Sequence, residues 1–353
     1  MMQRRFLLSV ASLLLFAGLC QAQSALLDLP RKSQNAQVSQ TIGITNVTVK
    51  YSRPLVNGRK VWGGLVPYGE VWRAGANENT VITFPDPVTI EGKPLDKGSY
   101  GLFMLPTENE WTIIFSKTNT AWGAFTYKPE EDVLRVTVKP TASDFHDALV
   151  YDFDQLTADS ALVTLRWDKL AVPFKVAVDV PKTVEASLDK QFRSIVQYTW
   201  VSYDDAANYF LTNKVDLAEG LKYADLSIGA EERYDNLMTK SQILAAMGKT
   251  DEAKRASALA LEKANASQSD QYARQLQRDH KQDEAFAIYR DMAKKYPTNL
   301  FTYAGQARIA VGAGNYEEAV KEMKLAKDAA PENAKSQIQG LINRLEKKEN
   351  INQ

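Results

Sequence analysis

The sequence predicts a multidomain β + α protein in which an antiparallel β-sandwich or barrel is followed by an α-helical repeat array. Three observations predict it. Tryptophan, glycine and β-branched residues crowd the first half and alanine crowds the second, with the change near residue 180. Apolar residues recur at every second position before that point and at every third or fourth position after it. These are the periods of a half-buried strand and of an amphipathic helix. Finally, one helix-opening turn recurs at nearly constant spacing in the second half, as stacked repeats require.

The chain starts with a different kind of segment. Arg4 and Arg5 precede an apolar stretch from Phe6 to Leu19, and Cys20-Gln21-Ala22 follows. A positive start, an apolar run shorter than the roughly 20 residues of a bilayer span, and small residues before a cut site predict a signal peptide over residues 1–22. Cleavage near Ala22 places the protein outside the cytoplasm, periplasmic or secreted. A lipoprotein acylated at Cys20 is disfavoured because Leu19 stands where such signals take Gly or Ala. No later stretch approaches transmembrane length.

Residues 33–180 read as an all-β domain. Val47, Val49 and Tyr51 share one face of a strand, as do Leu134, Val136 and Val138, and later Val172, Phe174, Val176 and Val178. Two apolar runs, 101–105 and 111–115, flank the turn-rich stretch 106–110 and predict a hairpin. Further strands are expected at 81–84, 88–90, 148–153 and 161–167, for eight or nine in all. Pro85, Pro87, Pro106, Pro129 and Pro140 fall at strand ends, where a missing N–H costs no ladder bond. A short linker is expected around Pro181-Lys182-Thr183.

Residues 185–331 read as helical repeats. Gly248-Lys249-Thr250-Asp251-Glu252-Ala253, His280-Lys281-Gln282-Asp283-Glu284-Ala285 and Gly314-Asn315-Tyr316-Glu317-Glu318-Ala319 are versions of one turn. Pro297 and Pro331 end the helices that follow the second and third. This pattern resembles the tetratricopeptide repeat, with Ala253, Ala285 and Ala319 as the small contacts between paired helices. A weaker copy precedes it at Val215–Gly220, with Ala218 aligned to Ala253. Residues 332–349 carry a stripe of Ile338, Leu341, Ile342 and Leu345 and predict a capping helix. About four helix pairs and a cap are expected.

Lys plus Arg and Asp plus Glu both number 43, so no net field favours nucleic acid or an anionic membrane. One cysteine and two histidines exclude a disulfide scaffold, a Cys-based zinc site and a His-rich metal centre. No cofactor is implied.

The segment 51–80 is the most specific. It runs Tyr51-Ser52-Arg53-Pro54, Asn57-Gly58-Arg59-Lys60-Val61-Trp62-Gly63-Gly64, Val66-Pro67-Tyr68-Gly69 and Val71-Trp72-Arg73-Ala74-Gly75-Ala76-Asn77-Glu78. With Gly98–Phe103, Trp111–Ile114 and Trp122-Gly123-Ala124, it strongly resembles the secreted bacterial family of domain of unknown function 2911, over roughly residues 33–180. The resemblance implies an extracytoplasmic β domain, often followed by helical repeats, with no catalytic residue to carry over.

Two chemistries compete for that segment. In a ligand site, Arg53, Arg59, Arg73, Asn77 and Glu78 would hydrogen-bond a carboxylate, phosphate or sugar, and Trp62 or Trp72 would stack on it. In a structural loop, the tryptophans plug the end of the sandwich and the arginines satisfy carbonyls or pair with Glu70 or Glu78. Structure is the favoured reading.

Elsewhere, His146 lies between Asp144 and Asp147 without a nucleophile motif. The acidic runs at 130–132 and 152–154 lack the spacing of a calcium loop. Asn46-Val47-Thr48 and Asn265-Ala266-Ser267 match glycosylation acceptors only as three-residue patterns.

In the repeats, counting back eleven residues from each key alanine gives Gln242, Arg274 and Arg308, with Arg278 one turn beyond Arg274. These predict a basic, partly polar groove for an extended peptide or an acidic tail. The sequence therefore favours a non-enzymatic binding or scaffold protein whose repeats engage a protein or peptide partner. The alternatives are a small-ligand or carbohydrate-binding β module and an uncharacterised hydrolase. No catalytic residue is assigned.

Overall fold

The computed structural model describes residues 29–352, so the expected signal peptide, with Cys20 and the Ala22 cut site, lies outside the described residues. The chain forms two compact units, one ending at Glu185 and the other starting at Ala186.

Ten strands build the first unit among the described residues. In chain order they are β1 Gln34–Ile42, β2 Thr45–Arg53, β3 Thr80–Phe84, β4 Val88–Ile90, β5 Lys93–Leu95, β6 Gly98–Pro106, β7 Trp111–Ser116, β8 Asp132–Val138, β9 Thr141–Asp154 and β10 Ser160–Ala177. One sheet has the order β1-β2-β3-β6-β7-β8 and the other β5-β4-β10-β9. Every pairing is antiparallel, and neither sheet closes. Val49, Ile82, Leu102 and Ile113 from the large sheet share one core with Ile90, Leu165 and Phe174 from the small one. Two sheets facing across a common core are a sandwich rather than a barrel.

Four features depart from the sequence expectation. The three-residue strand β5 has no counterpart in it. β1 is a second additional strand. It pairs with β2 at the sheet edge, and only Ile42 of its nine residues is buried. Its alternation is faint, since Ala36, Val38 and Ile42 face the core but the equivalent positions 34 and 40 are glutamines. The strands expected at 161–167 and 172–178 are one strand, β10, irregular in register between Arg166 and Leu170. Pro173 lies beyond the last pair with β9, at Ala171, and before the first with β4, at Val176, so it breaks no ladder. The expected linker Pro181-Lys182-Thr183 lies inside a helix, α1, Val180–Gln191.

After α1 come α2 Trp200–Asn213, α3 Leu217–Ala230, α4 Tyr234–Ala246, α5 Thr250–Lys263 and α6 Ala266–Arg278. They are followed by α7 Gln282–Lys295, α8 Leu300–Gly312, α9 Tyr316–Asp328 and α10 Glu332–Glu346. Four turns join the pairs α2–α3, α4–α5, α6–α7 and α8–α9 in the same way. Lys214, Gly248, His280 and Gly314 all adopt positive φ. The following N–H groups of Val215, Lys249, Lys281 and Asn315 donate to the carbonyls of Phe210, Leu244, Leu276 and Ala310. This closure satisfies otherwise orphaned carbonyls at each helix end, and it explains the recurring glycine. Ala253, Ala285 and Ala319 are buried, as the repeat pattern requires. Ala218 is not. It is exposed, and Gly220 takes the close contact, with Phe210 so near that a Cβ at Gly220 would lie 2.8 Å from its Cβ. α10 buries Ile338, Ile342 and Leu345 against Ala326 and Val311 of the last pair. Among the described residues no helix is long and apolar enough to cross a membrane.

Candidate functional site

The segment from Arg53 to Thr80 joins β2 to β3, neighbours in the large sheet, and on the way is bonded to both sheets. The Val56 N–H donates to Asp147 O and the Leu149 N–H to Pro54 O, at 2.8 and 3.0 Å, which ties it to β9. Trp72 and Met104 exchange two backbone bonds of 2.8 Å, which tie it to β6. Four tryptophans fill the space beneath. Trp62 packs edge-on against Trp72, Trp111 and Trp167, with ring centroids 5.9, 4.9 and 5.7 Å away, and Trp72 stacks on Trp167 at 6.0 Å. Such contacts add roughly 0.5–1.5 kcal/mol each beyond burial. Gly75 is required by packing, since a Cβ there would lie 2.6 Å from Thr80 Oγ1.

The arginines have distinct placements. Arg53 Nε donates to Leu149 O at 2.9 Å. Arg59 donates to Val56 O at 3.0 Å and also to Leu55 O. Arg73 Nε is enclosed without a hydrogen-bond partner, and burial lowers the pKa of its guanidinium. Asn77 donates to Ser33 O at 3.2 Å, and Glu78 pairs with Arg31. The Arg31 hydrogen bond holds the Glu78 carboxyl below its ordinary value. The seven residues do not converge. Trp62 and Trp72 lie in the aromatic cluster, Arg53 and Arg59 on the β9 seam, and Asn77 and Glu78 near residues 31–33. Glu78 lines a cavity of about 460 Å3 with Asn35, Gln37, Lys50, Ser52 and Asn79. Among the described residues Arg73 has no carboxylate at ion-pair distance, the partner a hydrolase site there would need. No three His, Cys, Asp or Glu among the described residues are placed to hold a metal ion.

In the helical unit the predicted groove residues separate into two groups. Gln242 and Arg278 line one groove of about 480 Å3 that crosses α2, α4 and α6. Arg278 is held by Gln275, whose Oε1 accepts from its Nε and Nη2 at 3.2 and 2.6 Å. Arg274 and Arg308 face elsewhere. Arg274 pairs with Asp270 at 3.0 Å. Burial raises the Asp270 carboxyl against the pull of Arg274 and Arg308. Arg308 is half-buried, and its loss of solvent lowers its pKa; it donates to the Ile351 carbonyl while its own carbonyl accepts from Asn352 Nδ2 at 2.9 Å.

With two arginines engaged, the groove is not the basic surface expected. Asp204 and Asn208 enter it from α2, Asp235 and Thr239 from α4, and Gln271 and Gln275 from α6. The sequence reading missed these six, yet the signal was present. Asp235 and Thr239 lie seven and three residues before Gln242, and Gln271 and Gln275 stand in the same relation to Arg278. Helical spacing puts each set on one face.

No curated protein matches the chain. Residues 33–176 match the family described as protein of unknown function (DUF2911), and residues 210–353 match that described as coatomer epsilon subunit. The β unit is thus similar to the first of these families, and the helical, tetratricopeptide-like unit to the second.

Proposed function

We propose that this chain is a non-enzymatic binding or scaffold protein acting outside the cytoplasm, in the periplasm or secreted, whose helical repeats engage a protein or peptide. One observation carries the reading. A single groove runs over three successive first helices and presents amides, acids and Arg278 to one space. An extended peptide needs such a row of hydrogen-bonding groups along its backbone. The family that the helical unit resembles is named for a subunit of an assembly, the coatomer, which fits an interaction role.

The test uses the full chain. Gln271 is exposed in the groove, so Gln271→Trp fills it without touching the core. Wild type should retain peptides from a random displayed library and Gln271→Trp should lose them. Equal recovery on both argues against the groove. Export is checked separately by the mass of the secreted chain, which should begin after Ala22.

A second reading, a small-ligand or carbohydrate module on the β unit, is favoured by the cavity beside Glu78 and by the unpartnered Arg73 Nε. Of the seven residues singled out in the sequence, Glu78 lines that cavity, with Asn79, Lys50 and Ser52 beside it. A panel of sugars, carboxylates and phosphates should raise the melting temperature of wild type but not of Glu78→Gln. No shift with any of them ends this reading.

A further inference from the structure

We propose that the groove selects a basic side chain, Lys or Arg, from the segment it binds, and seats it on Asp204 and Asp235. This rests on the groove-binding reading above and names what the groove recognises. Asp204 is only 8% exposed. Its Oδ2 accepts from Asn208 Nδ2 at 3.2 Å, whereas its Oδ1 is enclosed and has no hydrogen-bond partner. A buried carboxylate oxygen without a donor is unfavourable until a counter-charge reaches it. Asp235 lines the same groove from α4, and neither acid has an ion-pair partner among the described residues.

The surrounding groups complete the chemistry. Burial raises the Asp204 carboxyl and Asp235 and Asp205 add their repulsion, against the opposing pull of the Thr239 and Asn208 side chains, so a cation would relieve both the burial and the repulsion. Tyr234, Met238 and Tyr272 line the groove and offer apolar surface to the aliphatic stem of Lys or Arg. Gln242, Gln271 and Gln275 offer partners to the backbone of an extended chain. Arg278 lies on α6, the helix farther along the array from α2. A bound segment with a basic residue at one end and an acidic residue or carbonyl at the other meets complementary charge at both.

The experiment pans a random dodecapeptide library on the full-length protein and then measures one enriched peptide and its Lys→norleucine analogue. Enriched peptides should share a basic position, and the analogue should bind wild type on the order of tenfold or more weakly. On Asp204→Asn, which keeps the hydrogen-bonding shape, the two should bind within about twofold of each other. If that variant does not fold, the norleucine comparison on wild type decides alone. Enriched peptides without a basic position, or an analogue that binds wild type as well as its parent, overturn the proposal and leave the groove reading standing. A library that enriches nothing overturns both.

Discussion

Arg53 and Arg59 in the β unit direct guanidinium N–H groups at backbone carbonyls, whereas Gln242 and Arg278 in the helical unit stand over an open groove. The contrast follows from architecture. A two-sheet sandwich leaves an open end between its sheets, and a covering loop brings backbone groups into places where strands cannot pair them. The loop 53–80 meets that demand with its own Arg, Trp and Gly residues. A helix in a stacked array buries one stripe against its neighbours and leaves the opposite stripe free. The same residue types therefore signal structure in one unit and an available surface in the other.

The sharpest way to break this comparison is to damage the loop from below. Trp167 is fully buried, touches Trp62 and Trp72, and donates Nε1 to Asp147 O at 3.2 Å. Trp167→Ala should cost about 3–5 kcal/mol, seen as an early tryptophan-fluorescence transition on heating. The 222 nm circular dichroism of the helices should persist past it. Loss of both signals together would mean that the two units unfold as one and that the loop is not a local support of the β unit.

In the array, damage should stay local. Ala285 is completely buried among Ala273, Leu276 and Tyr289. Ala285→Leu overfills that contact and should cost about 1–3 kcal/mol, with faster hydrogen exchange confined to α6, α7 and α8. Uniformly faster exchange across all helices would contradict nearest-neighbour stacking.

Asp204 gives a smaller effect with a definite sign. Burial raises its folded pKa, so the ionised form destabilises the fold at neutral pH, and that penalty disappears as pH falls through the raised folded value. Asp204→Asn should therefore melt higher than wild type at pH 7. The gain should shrink as pH falls towards about 4, the unfolded value, and vanish about a unit below it, where the carboxyl is protonated in both states. A variant both more stable and weaker in binding marks a residue kept for the groove rather than for the fold. A gain that is independent of pH would remove the ionisation argument.

The smallest effect concerns the shared turn. His280 holds φ 60°, where two of the equivalent turns have Gly248 and Gly314. His280→Gly should stabilise by about 0.5–1 kcal/mol, measured by urea unfolding, because glycine adopts that conformation without strain. A loss of stability would show that the His280 side chain is itself a contact.

The groove was half legible. Counting along the repeat found Gln242 and Arg278, because the register of a helix follows from its sequence alone. It misassigned the company of both other arginines: Asp270 pairs with Arg274 by the four-residue helical spacing and was overlooked, whereas the Ile351 carbonyl reaches Arg308 through packing, 43 residues away in sequence. The β1 edge was missed for a different reason: Ala36, Val38 and Ile42 do alternate towards the core, but glutamines at 34 and 40 break the pattern on a half-buried edge.

What the sequence alone determined here was periodic. Val47, Val49 and Tyr51 alternate because pleated backbone alternates, and the turn at Gly248, His280 and Gly314 recurs because each helix pair closes in the same way. Such local rules act over a few residues and survive whatever packs around them. Only the tertiary structure decided which polar groups are engaged. Arg53 meets the Leu149 carbonyl from 96 residues away, while Asp204 Oδ1 meets nothing. Hydrogen bonds are short-ranged and directional, so a partner brought in by the fold leaves no trace in spacing.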